Sequence, residues 1–545
     1  MDNDTLFKTL STIQDELESE RRIVEPTWQE VMDLVLPRKS DTGRGSPGFY
    51  RERKRYDATA MNGNERLAAA IVGAMTPQTL EWFELALGLT LTAKSVYEVD
   101  DWTQTVARIM HRYLQQSNFA VELEEMLLDM GSVGTGALFE DQSPRKKGRF
   151  TGLAFQAWAV GEYWISEGPD GRVNRIHRKA SFTADQMIRK FGQDNVHQKV
   201  RDAVEKNDRL QKFDVIQAIW ETLEGERVSP KADRFPVANV FMDLTNKHVI
   251  DTGGFYEFPA PVGRWKKASG MVYGYGPGVT SLPDNQILNE ADKLGLTAWS
   301  NNIAPPLTML HEGVIGRPDL RSRRINTITE PNALQFLVVP SDVNADLVRR
   351  QEKQSAIREI FFMDQVNFLP DRGKTPPTAA EVQARLNIML QILGPTLHGF
   401  EFAVLQPVIN RTFQILNREG EIPPPPQEVI EQSGGRLTIQ FIGPIARARK
   451  QADAAAIDNF LNRVLMLAQA RPDALRTLDI DEIVRQISRV EGVSQSVFKS
   501  AAQLKKEMEA QQQQAAQEQA LVHAKVAGEA ATAIGQAQRV QQGAA

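Results

Sequence analysis

Three patterns in this chain resemble parts of catalytic sites, and each fails at a defining position. Gly373-Lys374-Thr375 supplies the end of a phosphate-binding loop of the form G-x-x-x-x-G-K-[ST]. Phe368 stands where that loop needs its first glycine, so backbone amides could not close around phosphate oxygens in that way. Gly131, Gly134 and Gly136 have the wrong order for a dinucleotide fingerprint and read instead as a tight turn. His311-Glu312 opens a zinc-protease pattern, but Ile315 occupies the second histidine position. The seven histidines stand at 111, 177, 197, 248, 311, 398 and 523, too scattered for a local metal site. No G-x-S-x-G nucleophile elbow occurs. Acid pairs carry no weight in a chain with 69 carboxylates. The expectation is a protein that is not an enzyme, with no cofactor and no metal.

Composition narrows the class further. The absence of cysteine excludes disulfides, thiolate metal sites and cysteine nucleophiles, and is compatible with assembly in a reducing cytoplasm. With 41% hydrophobic and 24% charged residues over 545 positions, the chain can build several folded domains. Met1-Asp2-Asn3-Asp4 lacks the basic flank and apolar run of a secretion signal. No run of 18 apolar residues suits a membrane span. The net charge of −5 argues against a protein that grips nucleic acid through its phosphates, because such proteins carry a basic excess. If DNA is met, the overall field favours tolerating it over holding it.

The periodicities describe an α+β chain. Leu6, Leu10, Ile13 and Leu17 lie on one helical face, and Pro26 restarts a helix carrying Trp28, Val31, Met32 and Val35. Residues 39–55 form a Gly-, Arg- and Ser-rich loop, its charges solvated or in contact with DNA. Helices are expected near 67–75, 100–116 and 121–130, and a strand at 82–87. Strand-like runs follow at 153–159, 163–166, 173–178, 215–222 and 237–244, with a helical pair between 183 and 205. Pro169-Asp170-Gly171 reads as a hairpin turn. Beyond Gly278 the order becomes helix 284–301, a β-like stretch including 333–339, helix 342–363 and a Pro- and Gly-rich loop at 365–377. Thr378-Ala379-Ala380-Glu381 forms a capping box for a long helix to Arg418, kinked at Gly394-Pro395 and Gln406-Pro407. Pro423–Pro426 is a stiff spacer. The Ala- and Gln-rich segment from Ala501 has no aromatic residue, which leaves open a long bundled helix or a disordered tail.

An ordered set of short motifs resembles the head-to-tail connector (portal) family of podoviruses. Its amino-terminal members are Arg21-Arg22, Trp28, Leu36-Pro37-Arg38, Leu67-Ala68-Ala69-Ala70, Thr76-Pro77 and Trp82-Phe83. Arg264-Trp265, Tyr273-Gly274-Tyr275-Gly276-Pro277-Gly278, Leu282-Pro283-Asp284, Leu288-Asn289 and Ala304-Pro305-Pro306 follow. Thr378-Ala379-Ala380-Glu381-Val382, Leu393-Gly394-Pro395, Gln406-Pro407 and Pro444 with Ala446-Arg447-Ala448 complete it. Each is weak alone, whereas the ordered set spans residues 21–450. The family often carries arginine where Tyr275 stands.

The resemblance implies a portal fold: a mixed wing (1–280), a stem helix (281–303), a small clip (304–341), a second stem helix (342–364) and a channel loop (365–377). A long kinked wing helix with a strand (378–445) and a helical crown with the tail (446–545) complete the order. It also implies a homo-oligomeric ring, usually a dodecamer, at one capsid vertex of the virion. Major capsid and scaffolding proteins, a terminase packaging motor and tail adaptor proteins are the expected partners. Double-stranded DNA would pass through without sequence readout, and no membrane is involved. Arg317, Arg321, Arg323 and Arg324 are candidate docking residues of the clip, suited to acidic partner surfaces and equally to a solvated face. Asn367, Arg372 and Lys374 are candidate DNA contacts of the channel loop. Asp342, Asp346, Arg349, Arg350, Glu352, Lys353, Arg358 and Glu359 give the second stem helix mixed charges, able to set register between neighbours or to face solvent. A rival from another class is an internal scaffold or nucleic-acid-binding structural protein of the virion, which an extended monomer rather than a hollow ring would indicate.

Overall fold

Leu6, Leu10 and Leu17 are buried along α1 (Asn3–Arg21), as their spacing requires of one helical face. Pro26 sits in the first turn of α2 (Glu25–Val35), where its missing N–H is no loss, and Trp28, Val31, Met32 and Val35 are buried. The computed structural model describes residues 2–39, 55–86, 96–145, 148–310, 315, 327–336, 343–363, 392–426 and 438–442. Within these residues the fold is mixed α+β with several antiparallel sheets.

The helices that follow are α3 (Thr59–Met75), α4 (Val96–Gln116) and α5 (Phe119–Ser132). Strand β1 (Phe83–Ala86) lies between α3 and α4. A three-stranded sheet comes next, with β2 (Thr135–Gln142) between β3 (Leu153–Trp158) and a later strand. A five-stranded antiparallel meander runs β4 (Tyr163–Glu167), β5 (Val173–Thr183), β6 (Lys212–Glu221), β7 (Val237–Asp243) and β8 (His248–Phe255). The expected hairpin joins β4 to β5, with Gly171 at φ +75°. Alternation on β6 explains how this sheet is covered. Ile216, Ala218 and Trp220 pack with Leu6 and Leu10 of α1, whereas Phe213 and Val215 pack with the helices between β5 and β6. Those helices are α6 (Ala184–Phe191) and α7 (Gln198–Glu205), and Thr183 with Gln186 forms a capping box at the first.

Strand β9 (Val262–Arg264) completes the three-stranded sheet. Then come α8 (Pro277–Thr280), α9 (Leu282–Ile303), the antiparallel pair β10 (Leu307–Met309) and β11 (Leu334–Phe336), and α10 (Val343–Ile360). The expected order of helix, β segment and helix is therefore present. Residues 392–400 are helical through Gly394 and Pro395. At the second expected kink a π-helical turn, Glu401–Leu405, precedes α11 (Gln406–Arg418). Pro407 has no N–H to donate and its ring crowds the carbonyl four residues back, so the wider turn relieves the conflict.

Strands β2, β8 and β9 carry no signal in the sequence periodicity. In β2 the first four residues, Thr135–Leu138, are all buried, so no alternation between faces marks it. The chain divides into two compact units, residues 1–82 with 108–422, and residues 83–107 with the chain from Pro423 onward. In the second, β1 pairs with β12 (Thr438–Phe441), and the Trp102 indole donates to the Pro423 carbonyl at 3.0 Å. The capping box expected at 378–381 and the segment 446–545 expected as crown and tail lie outside the described residues.

Candidate assembly site

The Tyr273–Gly278 motif is a place where backbone meets backbone. A Cβ on Gly274 would lie 2.4 Å from the Gly134 carbonyl oxygen, one on Gly276 2.6 Å from that of Met130, and one on Gly278 2.4 Å from that of Ser132. The contact is reciprocal, since a Cβ on Gly134 would meet the Tyr275 backbone at 2.3–2.4 Å. Gly134 also has φ +95°, in the turn from α5 to β2. Of the three glycines expected in a tight turn, Gly131 lies in α5 against Asn64 and Gly136 in β2 against the Met126 carbonyl, whereas Gly134 occupies the turn, which admits the second glycine-rich segment. Hydrogen bonds seal it: Trp265 N–H donates to Gly134 O at 2.9 Å, Tyr275 N–H to Lys266 O at 2.8 Å, and Gly274 N–H to Thr135 Oγ1 at 2.9 Å.

Around this junction the short motifs acquire structural work. Trp28 meets Tyr273 edge-to-face at 5.0 Å between centroids. Arg21 is buried over the Trp164 ring and donates to the carbonyls of Tyr163 (2.7 Å) and Gly161 (3.1 Å). Arg264 pairs with Glu167 and donates to Gly171 O at 2.7 Å. The motif then turns directly into α8 and α9, with Asn285 Nδ2 donating to Ser281 Oγ at 2.9 Å.

From that footing α9 and α10 run antiparallel and are cross-braced. Lys353 Nζ lies 2.7 Å from Asp284, and Arg350 lies 2.8 Å from Asp292 while donating to Ala291 O at 3.2 Å. Gly295 makes room, because a Cβ there would collide with the Arg350 guanidinium. The far end of α10 is anchored through Ile357 and Phe361, both fully buried, and a Cβ on Gly63 would meet Phe361 at 2.9 Å. Charged residues expected to set register between subunits therefore include two, Arg350 and Lys353, that bind within the subunit.

A second brace carries no motif signal. Glu140 on β2 is wholly buried, accepts from Thr412 Oγ1 at 2.7 Å, and its carbonyl accepts from Arg411 Nε at 3.0 Å. Burial pushes the Glu140 carboxyl up to about 8, partly offset by Arg411 and Thr412. Arg411 and Arg418 converge on Glu257, the latter at 2.6 and 2.9 Å. The only sequence clue was an arginine at 411 beside Val408, Ile409, Ile415 and Leu416 in an apolar helical face.

Arg317, Arg321, Arg323 and Arg324, and likewise Asn367, Arg372 and Lys374, lie outside the described residues. Among the described residues, no cluster of three or more His, Asp or Glu side chains is placed to hold a metal. No described helix is long and apolar enough to cross a membrane.

A family model described as bacteriophage head to tail connecting protein matches residues 7–498. The chain belongs to the head-to-tail connector family of bacteriophages. It is accordingly a structural protein of the phage virion and not an enzyme. It is similar to the probable portal protein of Bordetella phage BPP-1, 26% identical over 96% of this chain and 94% of that one. It is similar too to the portal protein of Salmonella phage epsilon15, 25% identical over 94% of this chain and 93% of that one. Several of the connector motifs meet at this junction. Trp28, Arg264, Trp265 and the Tyr273–Gly278 run, scattered through the sequence, meet where α8 and α9 depart, and Arg21 braces Tyr163 and Trp164.

Proposed function

We propose that this connector chain forms a closed ring, most simply a dodecamer, that occupies one capsid vertex and conducts DNA during packaging and ejection. The observation that carries the reading is the cross-braced hairpin of α9 and α10, mounted on the backbone-packed glycine junction with β10 and β11 between its helices. A rigid hairpin on a fixed footing lets identical subunits repeat one rotation and close, as a heterologous ring interface requires. In this reading α9 and α10 are the stem, residues 304–341 the clip, 365–377 the channel loop, 378–445 the long wing helix with its strand, and 446–545 the crown and tail.

The partners follow from position in the particle: major capsid and scaffolding proteins around the wing, then a terminase motor and tail adaptors at the clip. Arg317, Arg321, Arg323 and Arg324 would meet acidic surfaces there. Asn367, Arg372 and Lys374, repeated around the ring, would form a weakly binding collar on the DNA. Mass measurement and negative-stain imaging of the purified chain test the reading. Closed rings without DNA, nucleotide or metal are expected, and monomers under every assembly condition would overturn it. Arg372→Ala with Lys374→Ala should leave rings intact and impair DNA retention; full packaging and infectivity would remove the collar.

A further inference from the structure

Helix α9 exposes large apolar side chains that its own cross-brace to α10 leaves uncovered. Ile287, Leu294, Leu296, Trp299 and Ile303 are 48–64% exposed. At about 100° per residue, Ile287 and Leu294 fall within roughly 20° of each other, and Leu296, Trp299 and Ile303 within roughly 60°. The midlines of these two stripes are about 160° apart. Asp284, Ala291 and Gly295, which face Lys353 and Arg350 of α10, occupy the side between them, while Asp292, which also pairs with Arg350, lies in the arc of the second stripe ahead of Leu296. One helix thus presents two apolar stripes on opposite flanks of its contact with α10.

The geometry points to a second copy of this chain as the occupant of each stripe: Ile287 and Leu294 of one subunit pack on Leu296, Trp299 and Ile303 of the next. This rests on the ring reading above and adds the residues that mate. A single two-fold contact would use one stripe on both partners and leave the other bare. A rotational ring needs two different patches on opposite sides of every subunit, which is what α9 carries. The stripes are centred about nine residues apart, on the order of 13 Å along the axis, so neighbours mate only with α9 inclined to the ring axis.

Area argues for the same occupant. From their exposures each stripe offers roughly 200–400 Å² of apolar surface, below the ~800 Å² per partner of a stable pairwise interface. An isolated pair held by one stripe is therefore weak, whereas in a closed ring every subunit is held on both flanks. Assembly on this contact passes from monomer to ring with little dimer in between.

The chain contains no cysteine, so engineered pairs report cleanly. Six double variants combine Ile287→Cys or Leu294→Cys with Leu296→Cys, Trp299→Cys or Ile303→Cys in the full-length protein. Each is treated with a short bismaleimide after ring formation is checked by mass. At least one double variant should give a covalent ladder up to the ring, while every single variant stays monomeric on a denaturing gel. Dimers from single variants would mean a two-fold contact and overturn the inference. Rings that form in all variants without any ladder would also overturn it, since the stripes then face something else, and the ring reading would survive. Failure of the unmodified chain to form rings would instead remove the ring reading on which the inference stands. As a second measurement, Trp299→Ser in the cysteine-free chain should raise the concentration needed for half-assembly at least tenfold without lowering the monomer's thermal midpoint. An unchanged assembly concentration would count against the contact.

Discussion

The glycine junction and the helical hairpin it supports are adjacent and are built on opposite principles. At the junction, backbone atoms touch backbone atoms, every glycine flank is filled, and no side chain can be added. The hairpin is joined through long charged side chains, and apolar flanks of α9 remain open. The first region is complete within one subunit, whereas the second has surface left for another. A part that must hold a fixed angle is best made of contacts too short to adjust, while a part that must meet a neighbour keeps its apolar area outward.

The sharpest way to break this contrast is Gly134→Ala. A Cβ there collides with the Tyr275 backbone and also needs φ +95°, so a loss on the order of 4 kcal/mol or more is expected, seen as insoluble protein or a collapsed thermal midpoint. A well-folded variant would show that the junction yields, and the distinction between the regions would fail.

Two buried groups give a pH signature to the body that carries the junction. Burial and the Arg175 charge push His177 down to about 3 while its Nδ1 stays paired with Gln14 at 2.9 Å. The unfolded chain takes up that proton and the folded one does not, so this term lowers stability as pH falls from 6.5 toward 3. Glu140 acts in the other direction. With its carboxyl raised to about 8, the folded state keeps a proton that the unfolded state releases, so stability falls as pH rises from 4.5 toward 8. Glu140→Gln keeps the acceptor for Thr412 and should flatten the alkaline fall of the unfolding midpoint between pH 5 and 8, leaving the acid side unchanged. An identical alkaline slope in the variant would show that Glu140 is not held neutral.

Smaller effects sharpen the hairpin side. A double-mutant cycle on Arg350→Ala and Asp292→Ala should yield a coupling of about 1 kcal/mol, since the pair is only partly shielded from water. Zero coupling would make the hairpin's packing independent of this ion pair. The smallest expected change separates tolerant glycines from intolerant ones. Gly73 lies in α3, and no atom stands within 4 Å of the place a Cβ would take, so Gly73→Ala should stabilise by about 0.5 kcal/mol in the same thermal assay. Destabilisation there would mean that the glycine contacts at the junction are not what makes it distinctive.

Local order was legible in the residues themselves. Leucines at 6, 10 and 17 and the Trp28–Val35 face specify buried helical stripes, and Gly171 specifies a hairpin, because periodicity and turn chemistry act over a few residues. The same locality put a helix, a β segment and a helix in order after Gly278 and exposed the missing glycine and histidine of the spurious catalytic patterns. Only tertiary structure brought Gly134 against Tyr275, Arg21 under Trp164 and Arg411 against Glu140, pairs separated by more than a hundred residues. It also divided the charges of α10 into Arg350 and Lys353, bound within the subunit, and Arg358 and Glu359, left exposed. Long-range contacts depend on which surfaces meet when the whole chain closes, and neither spacing nor composition encodes that meeting within a local window.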